Sequence, residues 1–498
     1  MIVAHDIGTT GNKASLHDDS GRLVAATTAH YETRYEANGV VEQNPDDWWN
    51  AFCRATRTLL EQTGVRPEDV EVVGVSGQMM GAVFLDSACA PVRPAIIWAD
   101  TRSQEQCATL IERIGQEAAY RQLGHRLNPT YSITKVMWVR DHEPDVFSRT
   151  STVCNAKDFV AYQLTGVLVT DPSDASSTNA FDQQTGTWSA QVLDVAGIAP
   201  ALMPTIVPST TVIGTVTRRA AEATGLVEGT PVVIGGGDGP IAAAGVGIVE
   251  PTDGAYAYLG SSSWISLASD KPLLDLPLMR TMTFNHVLSG RYVPTATMQS
   301  GGGSLHWVAD LLADRDDGDR FTRLVADADT TDASGEGLYF LPYLLGERSP
   351  LWNPNARGAF VGLARHHGPA HLTKAVLEGV AFNLGICVDA FRDRGVLIDR
   401  VDAIGGGAAS DVWLQVLADA WDCTVRRRTI VDEANSLGAA VTAGVGVGLL
   451  PDFASARSLS DVTSEYTPDP SRVADYRRHR EAFVDAYECL EPWFERNA

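Results

Sequence analysis

Short apolar runs bounded by glycine alternate with longer stretches whose apolar residues recur at helical spacing, from one end of the chain to the other. Val70–Ser76 (VEVVGVS), Pro231–Ile234 (PVVI) and Val401–Ile404 read as buried parallel strands, because a strand covered on both faces loses its in–out alternation. Between the first two, Asp46–Gln62 predicts a helix. Pro45 and Asp46 supply a start signal, and Trp49, Phe52, Ala55, Thr56, Leu59 and Leu60 share one helical face. Val412–Trp421 and Val473–Phe494 predict further helices. The alternation implies an α/β class.

The pattern also echoes itself. Residues 2–17 (IVAHDIGTTGNKASLH) read strand, glycine turn, strand, and residues 255–268 (AYAYLGSSSWISLA) repeat that plan. Val73–Gln78 (VGVSGQ) is echoed by Ala403–Ala408 (AIGGGA), each a strand ending in a glycine turn. Two echoes in the same order suggest a duplicated domain with a boundary near Gly245, and the glycines around Pro240–Gly247 are candidate hinge points. We expect domains over 1–245 and 246–452, with a helical tail over 453–498 packing back on them.

Composition changes this picture little. At 498 residues the chain is too long for one core. Its 44% hydrophobic and 20% charged residues are ordinary for a soluble protein. Met1–Asp6 has no basic leader, and the low-polarity stretch near Gly438–Leu450 is shorter than the ~20 residues a membrane span needs, so a cytoplasmic location without a membrane partner is expected. The net charge of −23 argues against a nucleic-acid partner. Seven scattered cysteines with no C-x-x-C pair point to neither a disulfide framework nor a zinc site.

Four glycine turns carry the candidate chemistry. Gly8-Thr9-Thr10 and Gly260-Ser261-Ser262 suit phosphate, since small residues admit a ligand to the backbone while N–H and hydroxyl groups donate. Asp6, just before the first turn, could hold Mg²⁺. The spacing through Lys13 is not that of a Walker A loop, and an ordinary hairpin turn is the competing reading. Gly235-Gly236-Gly237-Asp238 follows a buried strand, where open α/β sheets place ligands. Asp238 could take a proton from an attacking hydroxyl, or could merely cap a helix whose start Pro240 marks. Gly405-Gly406-Gly407-Ala408 could lie flat beneath an adenine ring.

Taken in order, these elements resemble the FGGY carbohydrate kinases, whose fold is a duplicated actin/hexokinase-like (ribonuclease H-like) ATPase domain flanking a cleft. The resemblance rests on Asp6-Ile7-Gly8-Thr9-Thr10, Gly77-Gln78-Met79-Met80-Gly81, Ile97-Trp98-Ala99-Asp100-Thr101-Arg102, Gly236-Gly237-Asp238, Leu259-Gly260-Ser261-Ser262, Gly346-Glu347-Arg348, Gly405-Gly406-Gly407 and Ser436-Leu437-Gly438-Ala439-Ala440. Signatures at Thr134–Val139 and from Gly358 to Glu378 add to it. Within the family the likeness is to xylulokinases, with two departures: Met80 stands where His is usual, and Gly239 where Asn usually follows the catalytic Asp. Both remove a hydrogen-bonding side chain from the implied sugar pocket.

The resemblance implies an ATP- and Mg²⁺-dependent kinase phosphorylating a small sugar, D-xylulose to D-xylulose 5-phosphate first among candidates, with another pentulose, a polyol or gluconate as alternatives. It implies Asp238 as base, Asp6 as the Mg²⁺ ligand, and Gln78, Met79, Met80, Trp98, Asp100 and Asp238 around the sugar. Gly8, Thr9, Thr10, Lys13, Gly260, Ser261, Ser262, Gly301, Gly405, Gly406, Gly407 and Ala408 would hold the nucleotide. A homodimer follows family habit. Two readings of other classes, a non-catalytic sugar or nucleotide sensor and a chaperone-like ATPase, keep the fold and drop the sugar-kinase chemistry.

Overall fold

The computed structural model describes residues 1–429 and 434–497, so Ala498 of the expected tail lies outside the described residues. Ile2–Ile7, Val72–Gly77 and Pro231–Gly237 lie side by side as parallel strands. On one flank Gly11–His17 and Leu23–His30 extend the sheet as an antiparallel meander, and on the other Val212–Thr215 closes it antiparallel. A second sheet repeats this plan. Ala255–Leu259, Arg400–Ile404 and Thr424–Arg428 are its parallel centre. Ser263–Leu267, Tyr292–Met298 and Met282–Asn285 form its meander, and Val462–Tyr466 its antiparallel far edge. Both sequence echoes fall on equivalent strands of the two sheets, so the fold is the expected duplicated α/β unit.

Local chemistry places the helices close to where periodicity predicts them. Pro45–Thr63 begins at Asn44, whose side chain accepts from the Asp46 N–H, and stops at Gly64 in the left-handed region. Its buried face includes Trp48 rather than Trp49, because the Trp48 indole finds an acceptor 2.9 Å away in Gln43 Oε1. Asp411–Trp421 is capped by Ser410 Oγ, which accepts from the Trp413 N–H. The expected helical tail over 453–498 is only partly helical: Val462–Tyr466 is an edge strand of the second sheet, and the helix Pro470–Arg496 buries Tyr476, Phe483, Tyr487 and Phe494 in that sheet's core. Among the described residues no helix is long and apolar enough to cross a membrane.

Two further expectations need correction. Gly235–Gly237 is not a free turn but the end of the central strand Pro231–Gly237. The ladder slips between Val233 and Gly236, and Gly235 takes φ +66° there, where a Cβ would sit 1.8 Å from the Val75 carbonyl oxygen. Nor are the glycines of 240–247 loose hinges. Gly245 ends the helix Asp238–Gly245, which crosses Ala434–Gly446 with backbone against backbone. A Cβ on Gly438 would lie 2.0 Å from the Ile241 carbonyl oxygen, and one on Gly245 would lie 1.9 Å from that of Ala434. The second helix also packs on the first sheet: Leu437, Ala440 and Val441 join one core with Ile2, Ala4, Val72 and Val233. The packing thus crosses the expected cut at Gly245, since a segment late in the chain covers the sheet formed early.

Because that crossing admits no side chain, Gly438→Val should destabilise the fold by at least ~1–3 kcal/mol, the usual cost of overpacking and more than the ~1 kcal/mol that helix propensity returns. Gly318→Ala, with open space around its Cβ, should be silent. Thermal unfolding of the two variants compares them; equal melting temperatures would remove the crossing as a structural constraint.

Candidate active site

Asp238 is the first residue of its helix, and Gly237 occupies the cap, so the carboxylate does not act as an N-cap. Its Oδ1 accepts the Gly239 N–H at 2.8 Å. Each preceding glycine answers to a close neighbour: Gly235 to Val75, Gly236 to Ser173 and Val287, and Gly237 to Met79, whose Sδ would lie 2.6 Å from an added Cβ. Ser173 Oγ accepts the Gly237 N–H at 3.0 Å and donates to Asp171 at 2.6 Å. Asp171 in turn lies 3.0 Å from the fully buried ammonium of Lys157, which also meets Asp158 at 2.6 Å and Asp174 at 3.5 Å. Burial works against that ammonium, but the three carboxylates hold its pKa above the ordinary lysine value. The strand end bearing Asp238 therefore rests on a buried ionic cluster.

Asp238 opens into a cavity of about 350 Å³ between the two sheets, with Asp6, Gly8, Thr9 and Lys13 on one side and Tyr258, Ser262 and Trp264 on the other. Met79, Met80, Trp98, Met282 and Phe284 make much of the wall apolar. Asp6 is anchored through Ser76 Oγ at 3.0 Å and through Asn435 Nδ2 at 3.1 Å. Burial pushes the Asp6 carboxyl above its usual range, opposed by those bonds and by Lys13. Burial, and then the neighbouring Asp6, push Asp238 up to about 7. Two carboxylates made costly by one enclosed space suit a divalent cation, and oxygen donors are what Mg²⁺ takes.

Met80 sits at φ +63°, a left-handed conformation that a methionine seldom adopts. Its N–H donates to Ser177 Oγ at 3.1 Å, and its carbonyl accepts from the buried Lys135 Nζ at 2.8 Å. Burial lowers the Lys135 pKa to about 7. Trp98 is fixed by its indole N–H, which donates to Thr9 Oγ1 at 2.9 Å.

A second cavity, of about 670 Å³, lies beside the first. Gly406 and Gly407 face His306, Phe321 and Val325 across it, with Gly260, Ser261 and Gly302 at one end. The hairpin turn after Ala255–Leu259 divides the two spaces: Ser262 lines the first, Ser261 the second, and Tyr258 both.

Several expected site residues stand behind these walls. Asp100 is fully buried and engaged by Arg102 and by the Val41 N–H, so its carboxylate shapes the wall rather than facing the cavity. Gln78 is buried too, its amide donating to the Gly8 carbonyl and to Gln43. Thr10 is exposed, while Gly301, Gly405 and Ala408 back the nucleotide-sized space without lining it. Sequence reasoning did not assign Lys157, Lys135, Asn435, Phe321 or a site role to Arg348. No local motif marks them, since each reaches the site through tertiary packing.

Three imidazoles, His366, His367 and His371, gather with Glu336 elsewhere on the surface. Ala364 and Gly368 N–H groups donate to Nδ1 of His367 and His371, which puts the proton on each Nε2 and leaves those rings as donors rather than metal ligands.

Residues 1–245 match the N-terminal domain of the FGGY family of carbohydrate kinases, and residues 255–447 match its C-terminal domain. The chain is 34% identical over 492 residues to a xylulose kinase of Escherichia coli (strain K12), covering 99% of each. It superposes on a ligand-bound xylulose kinase from Lactobacillus acidophilus with TM-score 0.94 at 26% identity, covering 100% of this chain and 99% of that one. A gluconate kinase from the same organism gives TM-score 0.93, also at 26% identity, with coverage of 100% and 99%.

The raised pKa of Asp238 has a thermodynamic consequence. Below the ordinary carboxylate range the group is protonated folded or unfolded and costs nothing. Between that range and about 7 the folded state alone keeps the proton, so stability falls by ~1.4 kcal/mol per pH unit, and above about 7 the penalty is constant. Asp238→Asn removes it. The ligand-free variant should therefore melt several degrees above the wild type at pH 8, with a much smaller gain at pH 5; the same difference at both pH values would show that Asp238 is not desolvated.

Proposed function

We propose that this member of the FGGY carbohydrate kinases transfers the γ-phosphoryl group of ATP to a hydroxyl of a ketopentose, D-xylulose giving D-xylulose 5-phosphate. The observation that carries the reading is the shared cavity. One carboxylate with a base-like pKa, two hydroxyl-bearing turns and an apolar sugar-sized wall meet there, and a nucleotide-sized space lies across a single turn. The similarity to xylulose kinases over nearly the whole chain supports the choice of sugar.

In this reading the sugar lies against Met79, Met80 and Trp98, with Gln78 and Asp100 stiffening the wall behind. Asp238 accepts the proton of the attacking hydroxyl. The oxygen of that sugar hydroxyl forms the new bond to the γ-phosphorus as the bond to the bridging oxygen breaks and ADP leaves. Thr9, Lys13, Ser261 and Ser262 orient the phosphates, while Gly8 and Gly260 let the backbone approach them. The adenosine lies between Gly406–Gly407 and Phe321, backed by Gly405 and Ala408. Asp6 would hold Mg²⁺, which when bound neutralises charge on the phosphates. Enclosure keeps out water, the competing acceptor.

We further assign 1–245 to sugar binding, 246–452 to nucleotide binding except for the helix Ala434–Gly446, and 453–498 to a stabilising tail. A cytoplasmic homodimer that binds no nucleic acid or membrane completes the proposal.

Asp238→Asn should leave ATP affinity nearly intact and lower kcat at least ~100-fold. Near-normal turnover would make Asp238 structural. Asp6→Ala should raise the Mg²⁺ concentration needed for half-maximal rate, and an unchanged titration would count against its metal role. A coupled ADP-release assay over D-xylulose, D-ribulose, L-xylulose, glycerol, xylitol, D-arabinitol and gluconate tests the substrate; silence with all of them, alongside ligand-induced thermal stabilisation, would favour a sensor.

A further inference from the structure

Arg348 enters the cavity of Asp238 from the loop after Tyr339–Leu341, in the half of the chain opposite to Met79, Met80 and Trp98. Its position is fixed at the backbone. The Arg348 N–H donates to Glu347 Oε1 at 2.8 Å, the same oxygen accepts from Gln299 N–H at 2.8 Å, and Ser349 N–H donates to the Thr297 carbonyl at 3.0 Å. Glu347 is itself buried, which pushes its pKa up to about 8. The guanidinium stands over the Trp98 ring, 5.4 Å from its centroid, and burial pulls its pKa down without discharging it.

The side chain is unusual in what it does not bond. Other enclosed arginines have carboxylate partners: Arg93 has Glu42, Arg102 has Asp100, Arg280 has Asp275 and Arg428 has Asp402. Among the described residues no carboxylate pairs with the Arg348 guanidinium and no acceptor takes a hydrogen bond from it. An enclosed cation without partners is costly unless a ligand completes it. The sugar-side wall around it is mostly thioether and aromatic, so its planar fork is a major donor set there.

A fork of parallel N–H groups fits two oxygens held in a plane. A carboxylate provides them with a full charge, and a carbonyl with the oxygen on the adjacent carbon provides one trigonal acceptor in that plane; the vicinal alcohols of a polyol reach the same spacing only in a gauche rotamer and are weaker acceptors. We propose that Arg348 is a specificity-determining residue that selects acyclic substrates bearing a trigonal carbon–oxygen group, ketoses or aldonates, over polyols. The inference rests on the sugar-kinase reading above and adds the feature of the substrate that is recognised.

The test compares wild type, Arg348→Met and Arg348→Lys with D-xylulose, D-gluconate and xylitol, by kcat/KM where turnover is seen and by calorimetric Kd where it is not. Charge-assisted hydrogen bonds of this kind are worth roughly 10–100-fold. Arg348→Met should lose that factor for whichever of D-xylulose and D-gluconate the wild type uses, and change by less than ~3-fold for xylitol. Arg348→Lys, keeping the charge without the fork, should fall between, and it carries the comparison if the methionine variant does not fold. ATP affinity should be unchanged, and the melting temperature equal or higher, since a partly buried charge without a carboxylate partner is removed. Equal losses with all three substrates, as for a group acting on the transferred phosphoryl, would overturn the proposal, as would an unchanged ratio or a wild type that prefers xylitol. A wild type that phosphorylates no sugar at all would instead sink the kinase reading on which the proposal rests.

Discussion

The close crossing of Asp238–Gly245 and Ala434–Gly446 is the constraint on which the site depends. Two glycines let one helix backbone touch the other, and nothing larger fits. One helix begins at Asp238; the other, in its first turn, supplies Asn435 to Asp6. The crossing therefore sets how the two acidic side chains of the cavity stand toward each other. Its geometry comes from backbone contact, which has fewer ways to relax than a packed pair of long side chains.

Electrostatics follow from that placement. Asp6 and Asp238 are held in an enclosed space where neither is at ease as an anion. Behind them, Lys157 with Asp158, Asp171 and Asp174 forms a cluster with more carboxylates than cations, and burial raises the pKa of Asp158 and Asp174. Such a cluster is a poor source of stability, because removing ions from water offsets their attraction. Its value lies in fixing Ser173, and through it the backbone at Gly237, so that the carboxylate needs little reorganisation when a ligand arrives.

Much of this was legible in the sequence. The echo between residues 2–17 and 255–268 located the central hairpins of two sheets, because strand, glycine turn and strand are written locally. The glycines before Asp238 were recognisable as purposeful, though their reason was not: each makes room for Val75, Ser173 or Met79, contacts made across the fold. Gln78 and Asp100 had the right residue types at family positions, yet the Gln78 NH2 group and the Asp100 carboxylate are engaged by Gln43 and Arg102, partners that only folding reveals. Phe321, Asn435 and Arg348 escaped assignment to the site for the same reason. That the helix Ala434–Gly446 covers the first sheet was not legible, since an apolar, alanine-rich helix carries no label for the sheet it will cover.

The turn at Gly260–Ser262 walls both cavities, with Tyr258 reaching into each. A wall shared by two ligands cannot respond to one of them in private. Any shift that tightens it around an occupant of one cavity changes the shape offered to an occupant of the other, and the converse holds to the same degree, because a coupling free energy belongs to the pair of sites. Any coupling between occupants of the two cavities would thus pass through a single hairpin, with its sign set by whether both favour the same position of that turn.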